Sequence, residues 1–229
     1  MITSASNAKL KLVRRLLESR RQREKEGLFV CEGEDIVAAA DAAGIEPVEL
    51  LRAGVDVEPD LLASVSTLGH PPRVIAIYAR GALPHGVKPV CLALWHVKDP
   101  GNVGTLLRSA DAFGAAVALS PGCADVTGPR CVRASMGALF RVPTARFDDA
   151  PRPWTALAPH GATPLSDAGS DDGTFVLGAE RDGLPSEVVE RCDAVATIPL
   201  RGDAESLNVA MAGTIALYEA TKMKSSPRL

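Results

Sequence analysis

The run Val90–Trp95 (VCLALW) constrains the fold most, because six consecutive apolar residues are typical of a strand that is covered on both faces. A turn, Asp99–Asn102, follows it and opens a segment whose apolar residues recur at helical spacing. Further short apolar runs that predict strands lie at Ala116–Leu119, Phe140–Ala145, Phe175–Leu177 and Ala194–Pro199. Strands that alternate with helices in this way predict an α/β fold with a mainly parallel sheet and helices on both faces.

The first 80 residues alternate strands and helices in shorter units, which predicts a small α/β/α domain. Residues 7–26 are expected to form one long helix. Arg80–Lys88 (RGALPHGVK) carries two glycines and a proline between two apolar strands, so we expect a linker at 81–88. The predicted domains are therefore 1–80 and 89–229.

Charge is distributed unevenly along the chain. The whole sequence has 25 Lys+Arg against 28 Asp+Glu, whereas residues 1–25 hold eight Lys or Arg and two Glu, a local charge of +6. Two interpretations stay open: a solvated helix face with i,i+4 ion pairs, or an edge that binds a phosphodiester backbone. Aromatic residues make up only 4% of the chain, so a base-stacking platform is not expected.

Cysteine and histidine usage gives no sign of a disulfide framework or a metal site. The five Cys and four His lie far apart, without a C-x-x-C pair or clustered ligands. The N-terminal stretch lacks the apolar segment of a secretory signal, and no apolar run approaches the ~18–20 residues of a membrane helix. We expect a cytoplasmic protein that binds neither metal nor membrane.

Three polar loops that contain glycine follow predicted strands, at 98–108 (KDPGNVGTLLR), 177–185 (LGAERDGLP) and 198–208 (IPLRGDAESLN). In an open parallel sheet, ligands bind beyond the carboxyl ends of the strands. Glycines let a ligand approach the backbone, and helix N-termini present free N–H groups. The loops therefore predict one pocket. The sequence lacks G-x-G-x-x-G and G-x-x-x-x-G-K-[ST], which disfavours a dinucleotide dehydrogenase and a P-loop NTPase.

The same loops resemble the three motifs of the SpoU (TrmH-like) RNA ribose 2′-O-methyltransferases of the SPOUT superfamily. The matching stretches, in the family's order, are DPGNVGTLLRSADAFG (99–114), LGAERDGL (177–184) and IPLRGDAESLNVAMAGTIALYE (198–219). SMGALFRVP (135–143) is similar to the segment between the first two motifs. Residues 4–11, 20–33 and 74–78 resemble the L30e-like substrate-binding domain that is fused to many of these enzymes.

This resemblance implies a C-terminal α/β-knot domain with a trefoil knot, a preceding L30e-like domain, and a homodimer that completes the active site. It implies methyl transfer from S-adenosylmethionine to a ribose 2′-hydroxyl of structured RNA. Ribosomal RNA is the expected substrate; a transfer RNA substrate and a non-catalytic RNA-binding protein are the alternatives. We predict that Lys11, Arg20, Arg21 and Arg23 contact the RNA backbone without discriminating bases.

The motifs also imply site residues. The catalytic or orienting set is Asn102, Arg108, Glu180, Ser206 and Asn208. The cofactor-binding set is Leu177, Gly178, Ile198, Leu200, Gly202, Ser206 and Leu207, in which the main chain of Gly178, Ile198 and Leu207 holds adenine and ribose. Simpler roles stay open: core packing for Ile198 and Leu207, a helix cap for Asn102, and a surface ion pair for Arg108. One departure from the family pattern is Ala210, where a serine is usual.

Overall fold

The structure is a computed structural model that describes residues 1–159, 163–168, 172–203 and 205–225. The strands in these ranges are β1 (Leu28–Glu32), β2 (Glu49–Arg52), β3 (Val74–Ala79), β4 (Val90–Leu94), β5 (Ala116–Leu119), β6 (Thr144–Arg146), β7 (Trp154–Leu157), β8 (Thr163–Pro164), β9 (Gly173–Leu177) and β10 (Ala194–Thr197). The α-helices are α1 (Ala8–Glu18), α2 (Arg20–Glu26), α3 (Glu34–Ala42), α4 (Pro59–Val65), α5 (Pro100–Ala112), α6 (Pro129–Ser135), α7 (Leu165–Ala168), α8 (Ser186–Val189) and α9 (Val209–Ser225).

The first of two compact units comprises Met1–Pro84 together with Asp125–Arg141. Its antiparallel sheet has the order β1-β3-β2. The central strand β3 is apolar along its length because both of its faces are covered. Ile75 and Ile77 pack with side chains of α1 and α4 on one face, and Tyr78 contacts the rings of Phe29 and Phe140 on the other. The unit is therefore layered as helix, sheet and helical segment.

The helix expected over residues 7–26 is two helices, which is a correction to the sequence interpretation. The backbone of Ser19 is extended, with φ −130° and ψ 115°, and ends α1. Its hydroxyl then accepts a hydrogen bond from the N–H of Gln22, so that the same residue caps α2. An apolar stripe alone does not reveal such a break, because α2 continues the charged pattern of α1.

The segment Asp125–Arg141 packs with the first unit, although the sequence placed it within 89–229. The Asp125 carboxylate accepts from Nε of Arg23 at 2.8 Å and from Nη1 of Arg80 at 3.2 Å. Phe140, expected in a strand, instead lies in a 3₁₀ turn (Ala138–Phe140) and buries its ring against Phe29. The strand β6 begins only at Thr144, after Pro143.

The second unit, His85–Ala124 with the chain from Val142 onward, holds a seven-stranded sheet in the order β6-β5-β4-β9-β7-β10-β8. Every adjacent pair of strands is parallel. A backbone position in α9, Gly213, lies against Leu92 and Leu177 on one face. Cys91 and Val176, which precede Leu92 and Leu177 in their strands, point to the opposite face of the sheet and pack there in a buried hydrophobic cluster. The predicted α/β fold with a parallel sheet is confirmed.

The strand β7 is not predicted from the sequence, because its four residues stand close to Pro153 and Pro159 and form too short a run to stand out. It pairs with both β9 and β10 and so lies inside the sheet. Within the described ranges, no helix is long and apolar enough to cross a membrane. The same ranges contain no group of three or more His, Cys, Asp or Glu side chains arranged to hold a metal ion.

Candidate active site

A cavity of about 500 Å³ opens where β9, β7 and β10 end, and these strands are neighbours in the sheet. Its walls come from residues 157–159 after β7, from the end of β9, and from the segment between β10 and α9. Parallel sheets bind ligands at this edge, because strand ends and the following loops leave main-chain groups free. The volume lies within the range of about 300–1,000 Å³ that small-molecule sites occupy.

Most residues predicted to bind the cofactor line this cavity. They are Leu177, Gly178, Ile198, Leu200, Ser206 and Leu207. Gly202 is exposed and is not part of the lining. Sequence reasoning missed Leu157–Pro159, the wall that follows the unpredicted strand β7. Ile198 and Leu207 are half-buried at the cavity, and neither is among the fully packed core residues.

A tight loop after β9 forms one wall, and it depends on glycine at position 178. Ala179 and Gly183 exchange two backbone hydrogen bonds of 3.2 and 3.0 Å, which folds the chain back beside Gly178. A Cβ atom on Gly178 would lie only 2.2 Å from the carbonyl carbon of Gly183 and 2.4 Å from the amide nitrogen of Leu184. No larger residue fits without moving this backbone.

Three polar side chains, one from the first turn of α5 and two from the loops that contain Glu180 and Asn208, form a continuous hydrogen-bonded chain at the cavity. Nδ2 of Asn102 donates to Oε1 of Glu180 at 2.9 Å, and Nδ2 of Asn208 donates to Oδ1 of Asn102 at 3.1 Å. The backbone N–H of Asp99 also points at Oε1 of Glu180, at 3.4 Å. Glu180 and Asn208 line the cavity themselves. The structure thus brings these predicted residues together.

The helix-cap alternative for Asn102 is wrong. Asp99 is the N-cap of α5, and its Oδ1 accepts from the backbone N–H of Asn102 at 2.9 Å. The side chain of Asn102 is therefore free to bond with Glu180 and Asn208. Asn208 does combine two roles, since its Oδ1 also accepts from the backbone N–H of Ala210 at the start of α9.

Arg108 and Ser206 are exposed. Arg108 makes no hydrogen bond or ion pair with any residue that the structure describes, so the surface ion pair considered for it does not form there. It lies six residues after Asn102 on α5, which places it on a different side of that helix. Ser206 lines the cavity.

A comparison of the sequence with protein-family models agrees with these structural features. The model described as the SpoU rRNA Methylase family matches residues 89–218, more than half of the chain. The chain belongs to the SpoU rRNA methylase family. The matched range contains β4, the whole hydrogen-bonded chain and the cavity lining.

Individual SpoU relatives resemble the chain over nearly its full length. The 23S rRNA (guanosine(2553)-2′-O)-methyltransferase RlmP of Bacillus subtilis is 28% identical, over 95% of this chain and 97% of its own. An AdoMet-bound rRNA methyltransferase from Sinorhizobium meliloti superposes with a TM-score of 0.86 at 28% identity, over 98% of each chain. The SpoU methyltransferase AviRb from Streptomyces viridochromogenes, in complex with AdoMet, gives a TM-score of 0.84 at 28% identity, over 97% of this chain and 100% of its own.

The position at which this SpoU chain departs from the usual serine is buried. Ala210 is 4% exposed, and its carbonyl accepts a hydrogen bond from Oγ1 of Thr214 at 2.7 Å. Thr214 also bonds Oγ of Ser109 in α5 at 2.6 Å. Ala210 is therefore a buried residue in the first turn of α9.

The N-terminal cations predicted to contact RNA do not share one environment. Lys11, Arg20 and Arg21 are exposed, and Arg20 pairs with Glu24 at 2.7 Å. Arg23 is buried, which corrects its prediction: it bonds Asp125 and also donates to the carbonyl of Leu16 at 2.6 Å. Its guanidinium is committed inside the unit and is not available to a phosphate.

Proposed function

We propose that this SpoU methylase transfers a methyl group from S-adenosylmethionine to the 2′-hydroxyl of a ribose in RNA, with ribosomal RNA as its substrate class. The hydrogen-bonded chain Glu180–Asn102–Asn208 at the cavity carries the proposal. Relatives with nearly full coverage are named as 23S rRNA 2′-O-methyltransferases, and similar structures hold AdoMet. The intact chain of polar side chains favours an enzyme over a non-catalytic RNA-binding protein.

The cavity fits the cofactor on two observations. Its walls combine aliphatic side chains with main-chain groups, and the gap beside Gly178 has no room for a side chain. Gly178, Ile198 and Leu207 would hold the adenine and ribose through the backbone, while Ser206 would lie by the methionine end. Main-chain donors and acceptors give specificity, and the aliphatic walls exclude water. When bound, S-adenosylmethionine supplies a methyl group on a positively charged sulfur.

The side-chain amide of Asn102 is held in one orientation by two hydrogen bonds. Its Oδ1 is used by Asn208, and one Nδ2 hydrogen is used by Glu180, so the amide cannot rotate without breaking both bonds. The second Nδ2 hydrogen is left to hold an oxygen of the target ribose. A fixed donor of this kind costs little reorganisation during the reaction.

Arg108 is proposed to position the RNA. The attacking hydroxyl is a weak nucleophile that must lose its proton near the transition state. An arginine stays protonated in proteins and is a poor general base. Its planar fork instead binds a phosphate and a hydroxyl together, which places the 2′-oxygen for in-line attack. The guanidinium on α5 is exposed and has no ion pair with the residues that the structure describes, which is consistent with this role.

The finer architecture is part of the same proposal. The second unit would contain the trefoil knot near its C-terminus, and the first would be an L30e-like domain that binds the substrate. The location is proposed to be cytoplasmic. A homodimer is supported by an exposed apolar stripe on α9, where Met211 and Tyr218 are 61% and 53% exposed and Ile215 lies between them on the same helix side.

The proposed RNA-binding surface shifts from Arg23 to exposed cations of α1. Lys11, Arg14 and Arg15 stand at i, i+3 and i+4, so they share one side of the helix, and all three are exposed. Arg21 is exposed on the following helix. This surface would hold phosphates without reading bases.

The test is transfer of a labelled methyl group to purified RNA. The protein is incubated with labelled S-adenosylmethionine and either 23S rRNA or total transfer RNA, and the RNA is digested to nucleosides. The proposal expects a labelled 2′-O-methylnucleoside from 23S rRNA. Label in transfer RNA alone would favour the alternative substrate, and label on a base would refute ribose methylation. Cofactor binding without transfer to either RNA would favour the non-catalytic alternative.

A further inference from the structure

Three charged side chains line the cavity in the part of the chain that the structure describes. Glu180 and Glu205 each bring a carboxylate, and Arg181 brings a guanidinium. Two negative charges and one positive charge give the lining a net charge of −1. The other lining residues are aliphatic, small or neutral. Because a few polar groups in a mostly apolar site fix the orientation of its ligand, these charges indicate a ligand with charged parts.

One of the three charges is engaged by the polar network, and two are free. Oε1 of Glu180 accepts from Asn102 and from the N–H of Asp99. The side chains of Arg181 and Glu205 are exposed, and neither has a hydrogen bond or ion pair with any described residue. A guanidinium and a carboxylate bind each other strongly where they meet. Since these two line one cavity without pairing, both charges are available to a ligand.

The two free charges come from different loops of the site. Arg181 lies in the loop that two backbone hydrogen bonds between Ala179 and Gly183 close. Glu205 lies in the segment between β10 and α9 and directly precedes Ser206, which also lines the cavity. One free charge is therefore adjacent in sequence to the residue proposed to lie by the methionine end of the cofactor.

The charges of S-adenosylmethionine are complementary to this lining. The sulfonium and the ammonium of the molecule are positive and its carboxylate is negative, so its net charge is positive. The lining has two carboxylates and one guanidinium, the opposite arrangement. A planar guanidinium binds a carboxylate through two parallel hydrogen bonds, and a glutamate oxygen accepts hydrogen bonds from an ammonium group.

We propose that Arg181 and Glu205 recognise the amino-acid end of S-adenosylmethionine, with Arg181 on its carboxylate and Glu205 on its ammonium group. The inference rests on the proposed function and adds a source of specificity to it. The main chain of Gly178, Ile198 and Leu207 would hold the adenine and ribose, which many adenosine compounds share. The two side chains would select the compounds that carry an amino-acid end.

The test compares ligands that differ in this end. S-adenosylhomocysteine has the carboxylate and the ammonium, whereas 5′-methylthioadenosine has neither but keeps the adenine, ribose and sulfur. We expect Arg181→Met to weaken S-adenosylhomocysteine binding about tenfold in calorimetry and to leave 5′-methylthioadenosine binding unchanged, because only the first ligand loses a charged hydrogen bond. Arg201→Met is the matched control, since Arg201 is exposed in a neighbouring loop and does not line the cavity.

The decarboxylated analogue of S-adenosylhomocysteine separates the two roles, because it keeps the ammonium and lacks the carboxylate. Glu205→Gln should weaken the binding of this analogue, and Arg181→Met should not. Asp203→Asn, at an exposed aspartate of the same segment that does not line the cavity, should change neither affinity. Arg181→Lys should restore part of the affinity for S-adenosylhomocysteine, because lysine keeps the charge but not the planar fork.

Three results would overturn the assignment. Equal losses for S-adenosylhomocysteine and 5′-methylthioadenosine in Arg181→Met would indicate a displaced loop. Wild-type affinity for S-adenosylhomocysteine in both Arg181→Met and Glu205→Gln would show that neither side chain contacts the ligand. A fall in RNA affinity in Arg181→Met, with unchanged affinity for S-adenosylhomocysteine, would assign this arginine to a phosphate of the RNA.

These titrations also separate the assignment from the methyltransferase function. Losses that depend on the amino-acid end, in a protein that transfers no methyl group to RNA, refute the reaction and support the assignment. Methyl transfer to RNA by a protein whose affinity for S-adenosylhomocysteine is the same in both variants refutes the assignment and leaves the reaction in place. A wild type that binds no adenosine ligand refutes both.

Discussion

Two carboxylates organise polar networks in the two compact units, and their surroundings are opposite. The side chain of Asp125 is 6% exposed and is bonded by two arginines and by the hydroxyl of Thr127. Glu180 is exposed and is bonded by a neutral amide and a backbone N–H. A buried charge requires full compensation, and Asp125 has it. An exposed carboxylate does not, so Glu180 can orient Asn102 while a substrate still reaches the group.

This difference separates a network that holds the fold from one that we propose holds a substrate. Arg23 ties α2 to Asp125 through Nε and to the end of α1 through Nη1, which donates to the carbonyl of Leu16, so its guanidinium is bound inside the unit. Asn102 keeps one amide hydrogen free, and Arg108 keeps its whole guanidinium free among the described residues. An unused amide hydrogen suits a ribose oxygen, and an unused guanidinium suits a phosphate.

The largest expected effect is on stability, from Arg23→Met. The substitution keeps the length of the side chain but leaves Asp125 buried with a single cation. Removing one partner of a buried pair costs about 3–5 kcal/mol, so the free energy of unfolding should fall by that amount in urea titration. Arg21→Met is the matched control, because Arg21 is exposed on the same helix and should change the value by less than about 0.5 kcal/mol. Equal effects of the two substitutions would remove the distinction between the networks.

Gly178→Ala should lower the affinity for the cofactor and should lower the free energy of unfolding less than Arg23→Met does. The added Cβ would collide with the backbone of Gly183 and Leu184 and displace the loop that carries Glu180. We expect cofactor affinity, measured by calorimetry, to fall by about 100-fold, or about 2.7 kcal/mol. Gly202→Ala is the control, since nothing lies within 4 Å of a Cβ at that position. Unchanged cofactor binding in Gly178→Ala would show that the ligand does not use this loop.

Acid should weaken the buried network in a defined pH range. Burial alone would raise the pKa of Asp125, but hydrogen bonds from Arg23 and Thr127 and the charge of Arg80 hold it below 3.8. Its contribution to stability is therefore complete above the pKa of the unfolded chain, about 3.9, and is lost as pH falls through the lower folded value. In Asp125→Asn the free energy of unfolding should depend less on pH below about 4. Asp149→Asn, at an exposed aspartate, is the control; an identical acid limb in wild type and Asp125→Asn would contradict this assignment.

The smallest effect is expected from the exposed cations of α1. Replacing Lys11, Arg14 and Arg15 by glutamine should flatten the dependence of log affinity on log salt by about 0.7–0.9 per lost phosphate contact. The fold should be unaffected, because none of the three belongs to the Asp125 network. Lys9→Gln, which removes a cation already paired with Glu49, should change the slope less. Equal slopes for the triple variant and wild type would place the RNA elsewhere.

The sequence predicted the parallel sheet and most of the cavity because these depend on local patterns. An apolar run followed by a glycine-containing loop identifies a strand end, and Gly178, Ile198 and Leu207 lie in such loops. β7 was not predicted, because its four residues between prolines are too few to show a clear alternation of apolar and polar side chains. The long-range bond of Arg23 to Asp125 joins residues 102 apart, and no local pattern indicates it. The left-handed backbone of His96, with φ 53°, has no local signal either, since the side chain that its N–H bonds, Ser120, lies 24 residues further along the chain.

The central claim is that the exposed network performs the transfer without supporting the fold. Asn102→Ala tests it most directly, by the single-turnover rate of ribose methylation together with the free energy of unfolding. Loss of a fixed donor predicts a rate about 10²–10³-fold lower, with unfolding free energy within about 0.5 kcal/mol of wild type. A wild-type rate would contradict this claim. So would a fall in the free energy of unfolding as large as the rise in the activation free energy of methyl transfer.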